Sequence, residues 1–321
     1  MAEIVLGIGT SHTPMLSMAP EMWPEHARLF DGSLPDIDFA ARAADAEPWV
    51  KDELTLPVWQ RKHAAAQTAI DTIRTMLADA SPDIVVIVGN DQREMFEEYT
   101  PMFAMMDALF VNDLPDDLDA LPAPQRSAWW AYHGDEPVRY PVHRDLSAYI
   151  TDALIDGGFD VAVCTGETTG RSVGHAFTFV ERRIMSNPDT PIVPVMLNTY
   201  YPPNQTSPRR CVEFGRALAA SVQSWESDAR VAVIASGGLS HFAVEADLDR
   251  RVLEQMKAED FEALASVSRG EWSTGTSEIL NWVCAASMLS AAGRRMELLE
   301  YIPAYRSIAK TGVGIAFAAW T

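Results

Sequence analysis

Short apolar runs alternate with longer amphipathic stretches along this chain. Residues 3–8 (EIVLGI), 83–88 (DIVVIV), 159–164 (FDVAVC), 191–197 (PIVPVML) and 230–235 (RVAVIA) are rich in Val and Ile and too short for helices. Each therefore predicts a buried strand. The stretches 57–79, 144–157, 174–185 and 208–226 read as helices. In the first of these, Ala66, Ile70, Ile73 and Met76/Leu77 recur at helical spacing. The carboxyl-terminal third predicts helices over 245–258, 259–268 and 275–291, then one or two strands in 296–319. A further strand is expected in 101–111. Residues 15–55 and 112–142 carry prolines and read as irregular, the first as a lid or pocket wall and the second as an insertion. Strands alternating with helices predict an α/β fold. We expect one domain over residues 1–321, with a mainly parallel central sheet flanked by helices and a helical carboxyl-terminal part.

Three polar loops follow predicted strands. The first, Gly9-Thr10-Ser11-His12-Thr13-Pro14, carries His12, and Gly7 and Gly9 are expected to supply unusual backbone angles. The second carries Asn90, Asp91, Gln92 and Glu94, and the third Ser240 and His241. A single loop histidine more often bonds only its own loop. Ligands in open α/β sheets, however, bind at the carboxyl ends of the strands, where all three loops gather. His175 and Glu278 near helix starts add a second imidazole and a carboxylate. These are the ingredients of a non-haem iron site, although residues so far apart in sequence do not define a ligand set by spacing. Other chemistries fit less well. Gly7-Ile8-Gly9 lacks the third glycine of a dinucleotide fingerprint, no Walker A motif is present, and Ser236-Gly-Gly-Leu-Ser240 is not a nucleophile elbow. Trp129-Trp130 reads equally as an interface patch or as core.

Composition narrows the partners. With 45 acidic and 25 basic residues the net charge is −20, which repels nucleic acid and anionic membranes. The three scattered cysteines, Cys164, Cys211 and Cys284, argue against a disulfide framework and a thiolate zinc site and fit a reducing cytoplasm. The amino terminus lacks the pattern of a signal peptide, and no apolar run reaches the ~18 residues of a membrane span.

The ordered series GIGTSHTPML, DIVVIVGNDQ, VGHAF, NTYYPPNQ, ASGGLSHF and GTSEILNW resembles the class III extradiol ring-cleaving dioxygenases, the family of protocatechuate 4,5-dioxygenase beta subunits. The likeness is nearest to the branch acting on gallate or 3-O-methylgallate. The resemblance implies Fe(II), an aromatic acid as substrate, O2 as co-substrate and a homodimer. It implies that His12 and Glu278 are metal ligands, that His241 is the acid–base catalyst, and that His175 is a second histidine of the pocket. Tyr200, Tyr201 and Ser277 are expected to contact substrate. Arg209, Arg210 and Arg306 are all candidates for a substrate carboxylate. One position departs from the pattern: Gln92 stands where the protocatechuate enzymes have a second histidine ligand. Gln92 itself then binds the metal or holds a water on it; or Glu94 or His63 replaces the missing ligand; or the site is degraded. The last reading makes the chain a non-catalytic binding subunit, and a zinc-dependent hydrolase is a further alternative.

Overall fold

Strand β2 (Ile84–Asn90) is buried along its whole length, and its side chains divide by parity between two cores. Val86 and Val88 belong to one, Val85 and Ile87 to the other. A strand covered on both faces needs an unbroken apolar run, which is what the sequence supplies. The computed structural model describes residues 1–31, 37–96, 98, 100–107, 110–112, 117–165 and 173–321.

Four parallel strands form the centre, in the order β1 (Glu3–Thr10), β8 (Arg230–Ser236), β2, β7 (Ile192–Leu197). Beyond β7, β3 (Phe103–Met106) runs antiparallel to it and β6 (Ala162–Cys164) forms the edge. On the other side, β11 (Thr311–Trp320) is antiparallel to β1 and pairs with both β10 (Met296–Tyr305) and the short β9 (His241–Ala243). A separate ribbon pairs β4 (Phe110–Asn112) with β5 (Val138–Tyr140). One face of the sheet carries α6 (Arg144–Asp156), α8 (Pro208–Ser224), α9 (Ala246–Lys257), α10 (Phe261–Ser266) and α11 (Ile279–Ala291). The other carries α1 (Trp23–Phe30), α4 (Leu56–Ala80) and α7 (His175–Phe179). No helix among the described residues is long and apolar enough to cross a membrane.

The α/β architecture with a mainly parallel centre agrees with the sequence reading, while three local expectations are corrected. The stretch read as irregular, 15–55, holds α1, α2 (Phe39–Ala44) and α3 (Val50–Glu53). The 112–142 insertion contains α5 (Ala123–Ala128) and β5. Both stretches have short elements separated by prolines, below the length at which periodicity shows. Gly7 and Gly9 lie in extended strand, and neither has a positive φ. Their role is close approach. A Cβ on Gly7 would lie 2.3 Å from a Leu289 methyl, and one on Gly9 2.4 Å from the Trp282 ring, both on α11. The bare strand lets this helix, buried on nearly every side, settle against the sheet.

Helices α8 and α11 approach even more closely. A Cβ on Gly215 would stand 2.2 Å from the Cys284 carbonyl oxygen, a backbone atom that cannot swing aside. Gly215→Ala should therefore lower stability by about 1–3 kcal/mol. Gly270→Ala, where a Cβ would meet nothing within 4 Å, should stay within about 0.5 kcal/mol. Urea midpoints of the two variants check this.

Candidate active site

The carboxyl ends of β1, β8, β2 and β7 deliver His12, Ser236, Gln92 and Tyr200 to one edge of the sheet. Glu278 reaches the same place from the opposite direction, at the end of the 3₁₀ turn Thr274–Glu278 that leads into α11. Its carboxylate is buried and surrounded. Gln92 Nε2 (2.7 Å) and the Tyr200 hydroxyl (2.8 Å) donate to Oε1, with Asn90 Nδ2 at 3.4 Å. The Gly238 backbone N–H donates to Oε2 at 2.9 Å. His12 Nε2 stands 3.3 Å from Oε2, and His241 Nε2 3.5 Å from Oε1. Burial opposes the charge on Glu278, but His241 and His12 outweigh it and hold the carboxyl well below its usual range.

The outer nitrogens fix both histidine tautomers. Ser236 Oγ spends its single proton on the Ala176 carbonyl, so it accepts at 3.0 Å from His12 Nδ1. His12 therefore carries hydrogen on Nδ1 and faces Glu278 with Nε2, an acceptor when the ring is neutral and a donor when it is protonated. The Tyr132 hydroxyl clamps the same residue through its carbonyl, at 2.7 Å. His241 Nδ1 faces the Leu239 carbonyl at 2.8 Å and so is also protonated there. His241 Nε2 meets the Tyr200 hydroxyl at 3.0 Å. Burial lowers the His12 pKa more than Glu278 raises it. At His241 the balance is reversed: burial is outweighed by Glu278 and the pKa rises.

His175 opens α7 as expected, with its ring edge-on to His12 at 4.8 Å. Glu94 grips it twice, accepting from the backbone N–H at 3.1 Å and from Nδ1 at 2.9 Å. Burial disfavours the imidazolium, yet Glu94, then Glu278 and Asp91, push its pKa up to about 9.

These side chains line one cavity of about 340 Å³, within the size range of small-molecule sites. His12, Gln92, Glu94, His175, Tyr200, His241 and Glu278 all border it. Five other candidates, Arg209 and Arg210 among them, do not. His63 lies on α4 beside Gln67, Tyr201 packs its ring under Arg93, and the Ser277 hydroxyl donates to the Thr274 carbonyl. Residues 165–173 after β6 are rich in Gly, Thr and Ser, and 166–172 lie outside the described residues. Sequence reasoning missed Tyr132, His133, His26 and Ser236. The first two belong to the run Trp129-Trp-Ala-Tyr-His133, whose aromatic density was the available signal. Trp129 lines the cavity, stacked on His133 at 3.7 Å, while Trp130 is half exposed.

Among the described residues, no group of three or more His, Cys, Asp or Glu side chains is disposed to hold a metal ion. A metal at this edge would need a neutral donor beside His12 and Glu278. Gln92, already on the carboxylate, is that kind of group.

Comparison with known proteins places this geometry in context. The family model described as the catalytic LigB subunit of aromatic ring-opening dioxygenase matches residues 7–316. A gallate dioxygenase of Pseudomonas putida is 25% identical over 181 residues, 52% of this chain and 52% of that protein. The chain thus aligns with about half the length of this curated relative.

The His175–Glu94 pair carries a pH signature. His175, raised from 6.5 to about 9, adds stability that is fully present below about pH 6.5 and lost as pH rises through about 9. Glu94→Gln should drop the His175 pKa sharply, because burial then dominates, and should flatten that alkaline loss of stability. Histidine NMR titration of the metal-free protein reads the change. A pKa still near 9 would show that other charges hold the proton.

Proposed function

The chain belongs to the family of catalytic LigB subunits of aromatic ring-opening dioxygenases, and on that premise we propose that it is a non-haem Fe(II)-dependent extradiol dioxygenase acting on a catechol- or gallate-type aromatic acid. One observation carries this reading. His12 Nε2 faces the Glu278 carboxylate at 3.3 Å in a buried site, with Nδ1 already committed to Ser236. A cation shared by the two groups, a proton or a metal ion, would satisfy that arrangement, and burial disfavours the proton on His12. The donor set fits a metal with open positions: one imidazole nitrogen, one carboxylate and the neutral Gln92 amide. Glu94 is engaged by His175, and His63 lies outside the cavity lining, so Gln92 is favoured as the third donor. Fe(II) in this place would supply chelation of the ring hydroxyls and the passage of electron density between ring and O2.

The protein's own groups then manage protons and charge. His241, with Nδ1–H tied to Leu239, presents Nε2 as the base for a phenolic proton. The Tyr200 hydroxyl, with its one proton on Glu278, accepts from His241 Nε2 when that nitrogen is protonated and so aligns the imidazolium. The negative charge of Glu278 raises the His241 pKa. A cation on the carboxylate offsets that charge and returns His241 toward the range in which imidazole is a base. His175, protonated near neutral pH through Glu94, would offer a positive charge and a donor to oxygens of a molecule bound in the cavity.

The direct test is O2 uptake by the anaerobically Fe(II)-loaded chain with gallate, 3-O-methylgallate and protocatechuate in turn. Uptake equal to the ring-cleaved product supports the reading. Bound zinc and hydrolysis without O2 uptake would replace it with a hydrolase, and a chain that binds an aromatic acid but no metal would be a binding subunit. His241→Ala should keep iron and lose about 10²–10⁴-fold in turnover. Ser236→Ala, which frees the His12 ring, should weaken iron affinity about 10–100-fold. Loss of iron in His241→Ala would mean that His241 is a ligand and that the roles are wrongly divided.

A further inference from the structure

The imidazole of His241 is turned by one acceptor, and that acceptor is itself held from behind. The Leu239 carbonyl takes the His241 Nδ1–H at 2.8 Å. This carbonyl belongs to the same peptide group as the Ser240 N–H, which donates to Asp249 Oδ1 at 2.8 Å. A trans peptide is planar, with its C=O and N–H pointing in opposite directions. The Leu239–Ser240 peptide therefore has the imidazole at one end and a carboxylate at the other.

The carboxylate is fixed as firmly as the peptide. Asp249 lies on α9 and is fully buried. Its Oδ2 accepts from the Ser240 hydroxyl at 2.7 Å and from the Tyr301 hydroxyl, on β10, at 2.8 Å. Ser240 Oγ accepts in turn from the Glu245 N–H at 2.8 Å. On β11, the Gly314 N–H donates to the Ser240 carbonyl at 2.7 Å and the Gly314 carbonyl accepts from the Leu239 N–H at 3.1 Å. The same glycine makes room for the acid, since a Cβ there would lie 2.0 Å from Asp249 Oδ2. The His241 ring packs against two further bare positions. A Cβ on Gly238 would stand 2.9 Å from Nδ1, and one on Gly275 2.5 Å from Cδ2. Packing thus fixes where the ring sits, and the Nδ1 hydrogen bond fixes which way it turns.

A carboxylate suits this place for a chemical reason. Three donors converge on Asp249, from Ser240 N, Ser240 Oγ and Tyr301 Oη, and a group that only accepts satisfies them all. An isosteric amide would turn one corner into a donor. The bond from the Ser240 N–H is charge-assisted, and it polarises the peptide so that the Leu239 oxygen becomes a better acceptor. We infer that Asp249 is a positioning residue for His241: acting through the Leu239–Ser240 peptide, it keeps hydrogen on Nδ1 and aims Nε2 at the Tyr200 hydroxyl and the Glu278 carboxylate. This rests on the reading of His241 as the base. Asp249 does not border the cavity, so its influence reaches the site through the backbone.

The test reads the imidazole separately from turnover. In the metal-free full chain, the His241 Nδ1–H should give a slowly exchanging downfield proton resonance, identified by its loss in His241→Ala. Neutral and protonated rings both make this bond, so the signal does not depend on the charge of His241. Asp249→Ala should speed the exchange about 10–100-fold, the value of one hydrogen bond to a charged group. Asp249→Asn should fall between, because one corner still accepts. Val252→Ala, a buried position on the same helix, is the control. It should lower the melting temperature and leave the exchange unchanged. With Fe(II) bound, Asp249→Ala should lose about 10²-fold in kcat at unchanged KM, as for a base turned off its line. Wild-type exchange rates in both Asp249 variants overturn the proposal, whatever their melting temperatures. So does Val252→Ala matching Asp249→Ala, because a loosened helix then explains the effect. Should Asp249→Ala fail to fold, Asp249→Asn still decides. Faster exchange in the Asp249 variants, with no O2 uptake by the wild type, would leave the aim of the ring to Asp249 and remove ring cleavage. Unchanged exchange beside normal wild-type turnover would do the reverse.

Discussion

A buried carboxylate facing the Nε2 of a buried imidazole is the constraint on which this site depends. Glu278 is almost inaccessible to solvent, and four donors from three loops converge on it. Those donors satisfy oxygen lone pairs, but they do not neutralise the charge. Two histidines approach from either side, and only His241 is tuned upward toward protonation. Ser236 fixes hydrogen on His12 Nδ1, so the neutral ring cannot donate to Glu278. A metal ion held there would resolve this conflict, and the same positive charge would lower the basicity of His241 into a useful range.

The fold brings these groups together by means that are local and physical. Parallel strands place their loops on one edge. Two glycines on β1 leave room for α11, whose first residues follow directly on Glu278. Trp282 on the same helix donates to the Gly237 carbonyl, and Asn281 to the Asn90 side chain and the Ser236 carbonyl. The helix that carries the carboxylate is thereby bolted to the loops that carry its partners. Beneath His241, buried Asp249 accepts from the backbone N–H and hydroxyl of Ser240 and from the hydroxyl of Tyr301, which fixes the loop from below.

Much of this was legible in the chain itself. Fully buried strands announced themselves as continuous Val/Ile runs, and polar loops after them located His12, Gln92 and His241 at one edge. Glu278 and His175 stood out only as a carboxylate and an imidazole near helix starts, and their roles depended on resemblance, since nothing in their spacing ties them to the others. The short elements in 15–55 and 112–142 fell below the length at which periodicity speaks, and with them went Tyr132, His133 and His26. Ser236 was invisible for another reason. Its importance lies in where its one proton goes, which is a property of packing. Gly7 and Gly9 were noticed but given the wrong cause, because a sequence shows that a side chain is missing without showing what occupies the space.

The measurement closest to the centre of the account is a structure of the chain loaded anaerobically with Fe(II). The account predicts one iron between His12 Nε2 and the Glu278 carboxylate, with the Gln92 amide oxygen turned toward it and His241 free of the metal. Iron bound elsewhere, or a His12–Glu278 pair that stays closed on a proton while iron is excluded, would contradict it.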